Sequence, residues 1–291
     1  MIELRATIPD NLVEPLEEHF CGEVRSPWMI LHPRPEDEVS LSGFFRDANA
    51  GRDAWEELLG DFPTLPAVPE PREVPDTEWK EAYKHHLRPW REGNLRWLPE
   101  WERNAHEVRR GEAVLYLDSG LAFGTGSHET TRLCARALVR YDEALERPRD
   151  TVHVIDAGCG SGILALSAAS LGFTHVYGFD NDPEAVHVSR ENARANHLGE
   201  RIEWAEAGIE RGLADRRADL LMANIQSDIL KIYADEFATA LAPGATLALS
   251  GILHHEAEAV RDRFAAALAA QGLRPEASIE NEGEWSLVLF Q

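Results

Sequence analysis

Apolar and polar residues alternate along 2–8, "IELRATI", and that spacing predicts a strand. Asp10 or Asn11 then stands where a helix cap belongs, ahead of a helix running through Phe20. "PWMILH" (27–32) and "EVSLSGFF" (38–45) predict two further strands, and "GRDAWEELLG" (51–60) a second helix stopped at Gly60. Strand, helix, strand, strand, helix, with one more strand to follow, is the order of a small split βαβ domain. Five prolines then fall within 61–75. They exclude a helix or a central strand and predict a semi-rigid linker.

Residues 76–110 are polar, basic and aromatic, and "TEWKEAYKHHLRPW" predicts a helix up to Arg88. Aromatics between charges suit packing against a neighbouring domain, with the charges on the wet face; a binding surface is the alternative. From about 113 strands and helices alternate. "AVLYLD" is a strand, "HETTRLCARALVRY" a helix, "VHVIDAG" a strand, "GILALSAASLG" a helix. "HVYGFDND" and "PEAVHVSRENARANHL" repeat the pair, followed by the strands "RIEWAEA" and "ADLLMANI". "SDILKIYADEFATAL" predicts one helix, "ATLALSGI" a strand and "HEAEAVRDRFAAALAAQG" a last helix. Apolar strands alternating with helices mean a parallel sheet covered on both faces. The end, "PEASIENEGEWSLVLF", is a hairpin, one strand of which enters the sheet antiparallel. The expected organisation is an α+β domain over 1–60, a linker and connecting helix over 61–110, and an α/β domain over 111–291.

Composition narrows the function classes. The net charge is −22, but 76–110 carries 8 basic and 7 acidic residues, so the acid lies on either side of it. Such acidity disfavours a nucleic-acid backbone as partner and suits a basic one, with plain solubility as the alternative. Three scattered cysteines, Cys21, Cys134 and Cys159, are too few for a disulfide framework or a zinc site. They are expected as free thiols in a reducing cytoplasm. No secretion signal, no membrane-spanning run and no metal are expected.

Two glycine-rich stretches carry the chemistry. "DAGCGSG" (156–162) places Gly158, Gly160 and Gly162 between a strand and a helix, where open α/β sheets bind ligands. The spacing is G-x-G-x-G and not the dinucleotide fingerprint G-x-G-x-x-G. Asp156 beside the loop would repel a pyrophosphate and suit a cation. Asp180 ends the next strand, where an acid accepts hydrogen bonds from ribose hydroxyls. Asp182, before Pro183, is the better cap of the following helix. A ribose, a cationic centre and no phosphate requirement point to S-adenosylmethionine and a Rossmann-like class I methyltransferase sheet. A nicotinamide-dependent enzyme is the alternative.

The second stretch is "GLAFGTGSHETTRL" (120–133). Together with "DAGCGSGILAL", "GFDNDPEAV", "ADLLMANI", "LAPGATLALSGIL" and the closing "EGEWSLVLF", it resembles the ribosomal protein L11 methyltransferase family, in order from about 115 to the end. The N-terminal region is similar to that family in outline only: a ferredoxin-like domain, a linker and a connecting helix. The resemblance implies cofactor contacts from Thr131, Gly158, Asp180 and Asn224, with Phe123 and Thr125 lining the pocket and both glycine loops holding one ligand. His128 is expected to be structural, and Cys159 a small filler. It also implies a basic ribosomal protein substrate, methylated on lysine side chains and its N-terminal amine, and a monomeric enzyme. Asn224 is followed by Ile-Gln-Ser and not by Pro-Pro-aromatic, so a platform for a flipped base is lacking and no nucleic-acid target is expected. The same domain type acting on another protein or small molecule, or a non-catalytic cofactor-binding module in ribosome assembly, are the competing readings.

Overall fold

The computed structural model describes residues 2–21, 27–31, 39–73, 89–103, 105–109, 111–117, 128–273 and 276–291. The chain divides into two compact units, 1–83 and 84–291.

The first unit is a four-stranded antiparallel sheet with two helices. Strand β1 (Ile2–Thr7) leads to α1 (Val13–Cys21), β2 (Trp28–Leu31), β3 (Ser40–Phe45), α2 (Ala48–Asp61) and β4 (Arg72–Glu73). The strand order β2-β3-β1-β4 is that of a ferredoxin-like domain. Leu4, Leu16, Leu41 and Trp55 fill its core. Glu3 is buried too, on the other face of β1: Ser42 donates to it at 2.8 Å, and Arg72, its cross-strand neighbour, pairs with it.

Two expectations change here. Helix α2 begins at Ala48 because Asp47 caps it, accepting from the amides of Asn49 and Ala50 at 3.1 and 2.9 Å. It also runs through Gly60 and stops at Phe62, ahead of Pro63, which has no amide to continue it. The proline-rich stretch is docked, not free: Leu65 is buried, Trp55 Nε1 donates to the Pro66 carbonyl at 3.2 Å, and β4 pairs with β1. Prolines forbid a central strand, but a two-residue edge strand tolerates them.

In the second unit, β5 (Trp90–Glu92), β6 (Leu95–Pro99) and β7 (Ala113–Leu117) form a small sheet. The described part of the aromatic segment therefore packs with the larger unit. Trp97 is buried and donates to Ser167 Oγ at 2.9 Å, and Trp90 stacks on it. The expected helix up to Arg88 lies outside the described residues.

Then follow α3 (Glu129–Glu143), β8 (His153–Ala157), α4 (Ile163–Leu171), β9 (His175–Asp180), α5 (Pro183–Ala195), β10 (Ile202–Glu206), α6 (Ile209–Leu213) and β11 (Ala218–Asn224). The expected single helix after β11 is two short ones, α7 (Ser227–Ile232) and α8 (Ala234–Thr239), because the backbone at Tyr233 leaves helical dihedrals. Strand β12 (Leu241–Leu253), α9 (Ala257–Ala270), β13 (Ala277–Glu282) and β14 (Trp285–Phe290) complete the fold.

The seven strands lie in the order β10-β9-β8-β11-β12-β14-β13. The first five are parallel; β14 enters antiparallel to β12, and β13 closes the hairpin. Strand β11 is buried on both faces, with Leu220 and Met222 in one apolar layer and Leu221 and Ala223 in the other. This is the class I methyltransferase sheet expected from the sequence. Its order reverses between β8 and β11, and ligands of open α/β sheets bind at such a point. Among the described residues no helix is long and apolar enough to cross a membrane, and no metal-ligating cluster occurs.

Candidate active site

The loop after β8 is tied down by its neighbour strand. The amides of Gly158 and Cys159 both donate to the Phe179 carbonyl, at 2.9 and 3.0 Å. Gly158 has φ of +73°, and a Cβ there would stand 2.4 Å from Ile225 Cγ2. Gly251 has φ of +81°, and its Cβ would stand 2.5 Å from the Ile225 carbonyl oxygen. The residue after Asn224 is thus held between two positions that admit no side chain, and this fixes where β11 delivers Asn224.

Asp180 ends β9 as a half-buried carboxylate. Its Oδ2 accepts from the Gly160 amide at 2.9 Å and its Oδ1 from the Asp182 amide at 3.0 Å. Capping of α5 falls to Asp182, which accepts from Glu184 at 2.9 Å. A carboxylate has about four acceptor positions, so two bonds leave Asp180 free to accept more.

Asp156 behaves differently. It is 1% exposed, shares the face of β8 with Val154, and accepts from the Ala165 amide at 3.0 Å. Burial pushes its carboxyl up to about 7, against the lowering effect of that amide, while the Asp180 charge adds to the rise. It supports the first turn of α4 from beneath and does not face the crevice.

On the opposite wall, Asn224 Nδ2 donates to Thr131 Oγ1 at 3.2 Å. The Asn224 Oδ1 is buried and has no hydrogen-bond partner among the described residues. Thr131 is fully buried, and its neighbour Thr130 faces the crevice. His128 caps α3: its Nδ1 lies 2.8 Å from Thr130 Oγ1 and accepts from the Thr130 amide at 3.3 Å. Its ring meets Trp285 edge to face at 5.0 Å, and burial pushes its pKa down, which favours the neutral imidazole.

These groups surround a crevice of about 580 Å³ at the carboxyl ends of the parallel strands. Gly158, Asp180 and Asn224 line it together. Gly160 acts one step back, through its bond to Asp180, and Thr131 through its bond to Asn224. Phe123 and Thr125 lie outside the described residues, so the contribution of the first glycine loop does too. Sequence reasoning missed Phe179, Ile225, Tyr233 and Trp285, which supply apolar wall. Trp285 stood in the quoted closing motif, and its place two residues beyond the Gly283 turn was the available signal. Cys134 and Cys159 are free, buried thiols whose burial raises their pKa; Cys159 fills space in the loop.

Comparison with known proteins gives the family. The family model "Ribosomal protein L11 methyltransferase (PrmA)" matches residues 27–291, so the likeness reaches well upstream of the point at which the motifs begin. The ribosomal protein L11 methyltransferase of Chromohalobacter salexigens is 39% identical over 256 residues, 85% of this chain and 80% of that protein. That of Deinococcus radiodurans is 37% identical over 234 residues, 75% of this chain and 81% of its own length. The crystal structure of a ribosomal protein L11 methylase from Lactobacillus delbrueckii subsp. bulgaricus superposes with a TM-score of 0.58 at 28% identity, covering 69% of this chain and 95% of that one. The chain belongs to the ribosomal protein L11 methyltransferase family, whose methyl donor is S-adenosylmethionine.

Proposed function

We propose that this chain methylates amines of ribosomal protein L11, on lysine side chains and at the N-terminus, acting as a cytoplasmic monomer. The observation that carries the reading is one crevice lined both by Asp180, a carboxylate with spare acceptor capacity, and by Asn224, whose buried amide oxygen has no partner among the described residues. The residues present fit S-adenosylmethionine. Asp180 keeps acceptor capacity for ribose hydroxyls, Gly158 leaves the loop open to close approach, and the described lining contains no Lys or Arg to balance a phosphate. When bound, the cofactor supplies an activated methyl group on a sulfonium centre.

The protein's own part is positioning. A lysine amine has a pKa of about 10.4 in water and must lose a proton before it can accept a methyl group. The walls built by Phe179, Ile225, Tyr233 and Trp285 disfavour the charged amine and lower that value. We assign the Asn224 oxygen, buried and without a hydrogen-bond partner among the described residues, to accept a hydrogen bond from the neutral amine and aim its lone pair. The unit 1–83 is assigned to holding the ribosomal protein, as the family resemblance suggests. An acidic chain of net charge −22 suits a basic partner.

Incubation of the chain with labelled S-adenosylmethionine and purified ribosomal proteins tests this. One labelled band at the mass of L11 is expected. Label confined to small molecules, or no transfer despite tight cofactor binding, would overturn it.

A further inference from the structure

Helix α7 follows Asn224 directly, and its apolar residues lie on two sides. Leu230 is fully buried, and Ser227, also buried, donates to Glu256 Oε1 at 2.6 Å. These fix the inner face. Yet Ile229 is 37% exposed and Ile232 64% exposed. A six-residue surface helix has no packing reason to present isoleucine where a polar residue is cheaper.

Gln226, Ile229 and Tyr233 all line the crevice. Their spacing puts them on one helical face, and the backbone bonds Leu230 to Gln226 and Tyr233 to Ile229 keep that period. Ile232, three residues after Ile229, continues the same face but does not line the crevice. An apolar strip therefore runs from beside Asn224 to open surface. A small acceptor would be enclosed by the crevice alone and would leave this outer step unused.

We propose that Ile229 and Ile232 form a shelf on which the substrate polypeptide rests an aliphatic residue next to its acceptor amine. This rests on the protein-amine reading above and adds what that reading lacks: a surface that selects the sequence around the target. The occupant is a basic segment with an apolar side chain beside the modified lysine. Continuity with the crevice argues for it, as does charge: the described crevice lining holds no Lys or Arg, and Lys231, on the shelf helix itself, is neutralised by Asp228 at 2.7 Å.

The test uses the full-length chain, S-adenosylmethionine and purified ribosomal protein L11. Ile232→Ser is expected to raise KM for L11 roughly tenfold, with kcat falling far less and cofactor affinity unchanged. Ile232→Leu, which keeps the apolar surface, is expected to retain the wild-type KM. A wild-type KM in Ile232→Ser overturns the shelf. Concentration-dependent dimerisation of the wild type, abolished by Ile232→Ser while KM stays put, assigns the strip to a second copy and also overturns it. Wild-type enzyme that binds cofactor but leaves L11 unmodified removes the protein-amine reading, and the shelf with it, before any variant is compared.

Discussion

Asn224 Nδ2 and Thr131 Oγ1 meet at 3.2 Å across the junction of β11 and α3, and this contact fixes the orientation of the Asn224 amide, whose oxygen is buried without a hydrogen-bond partner among the described residues. Thr131 is therefore a positioning residue for Asn224. Thr131→Val keeps the shape of a fully buried site and removes the acceptor. It is expected to lower kcat about tenfold, the equivalent of one hydrogen bond of about 1.4 kcal/mol, with little change in cofactor affinity. Thr131→Ser should restore most of the rate. Steady-state kinetics on both variants check this, and an unaltered kcat in Thr131→Val contradicts it.

Gly158 bears on the fold and the site together. An alanine there adopts an unfavourable φ of +73° and drives its Cβ into Ile225. The expected result is a stability loss of about 1–3 kcal/mol and weaker cofactor binding, since the Ile225 side chain that must give way adjoins Asn224. Chemical denaturation and calorimetric titration of Gly158→Ala measure the two effects. Unchanged affinity would separate the glycine loop from the ligand.

The core, the sheet and the strand-end positions of Gly158, Asp180 and Asn224 were legible in the sequence for one reason: each depends on near neighbours in the chain. Apolar runs such as Leu220–Ala223 announce a doubly covered strand, and the order Asp180, Asp182, Pro183 separates ligand acid from cap. Asp156 was misplaced although the signal was there, because alternation along "VHVIDAG" puts it on the face of Val154 and not at the loop tip. The clamp on Ile225 was not legible. It joins Gly158, Ile225 and Gly251, which only the folded sheet brings together. Thr131 reaches the crevice through Asn224 while Thr130 lines it, because His128 caps the helix and sets which side each threonine faces.

Asp156 gives the chain a pH signature. Its carboxyl titrates near 3.8 when unfolded and about 7 when folded. Between those values the folded state keeps a proton that the unfolded chain has lost. This group's contribution is therefore most favourable at low pH and declines as pH rises toward 7. Asp156→Asn removes the slope while keeping an acceptor for the Ala165 amide. Between pH 5 and 8 the unfolding free energy of the wild type should fall relative to the variant by on the order of 1–3 kcal/mol. Denaturant titrations at the two pH values give the number, and a constant difference rules the effect out.

Helix α3 is pinned to the terminal hairpin through Glu282. Its Oε1 accepts from Arg132 Nη2 at 2.6 Å and Nε at 2.9 Å. Arg136 Nη2 lies 2.6 Å from Oε2, an ion pair without hydrogen-bond alignment. This joins the element bearing His128 and Thr131 to the turn before Trp285. Glu282→Gln should cost about 1–2 kcal/mol at low salt, intermediate between exposed and buried pairs. The gap should narrow in high salt, where partly exposed charges are screened. Thermal melts at two ionic strengths report it, and a salt-independent gap speaks against an electrostatic link.

The most direct measurement is a crystal structure of the chain with S-adenosylmethionine. The account predicts ribose hydroxyls against Asp180, the methionine part over Gly158 and the sulfonium methyl facing Asn224. A crevice left vacant at saturating cofactor, or a ligand whose sugar lies away from Asp180, would contradict it.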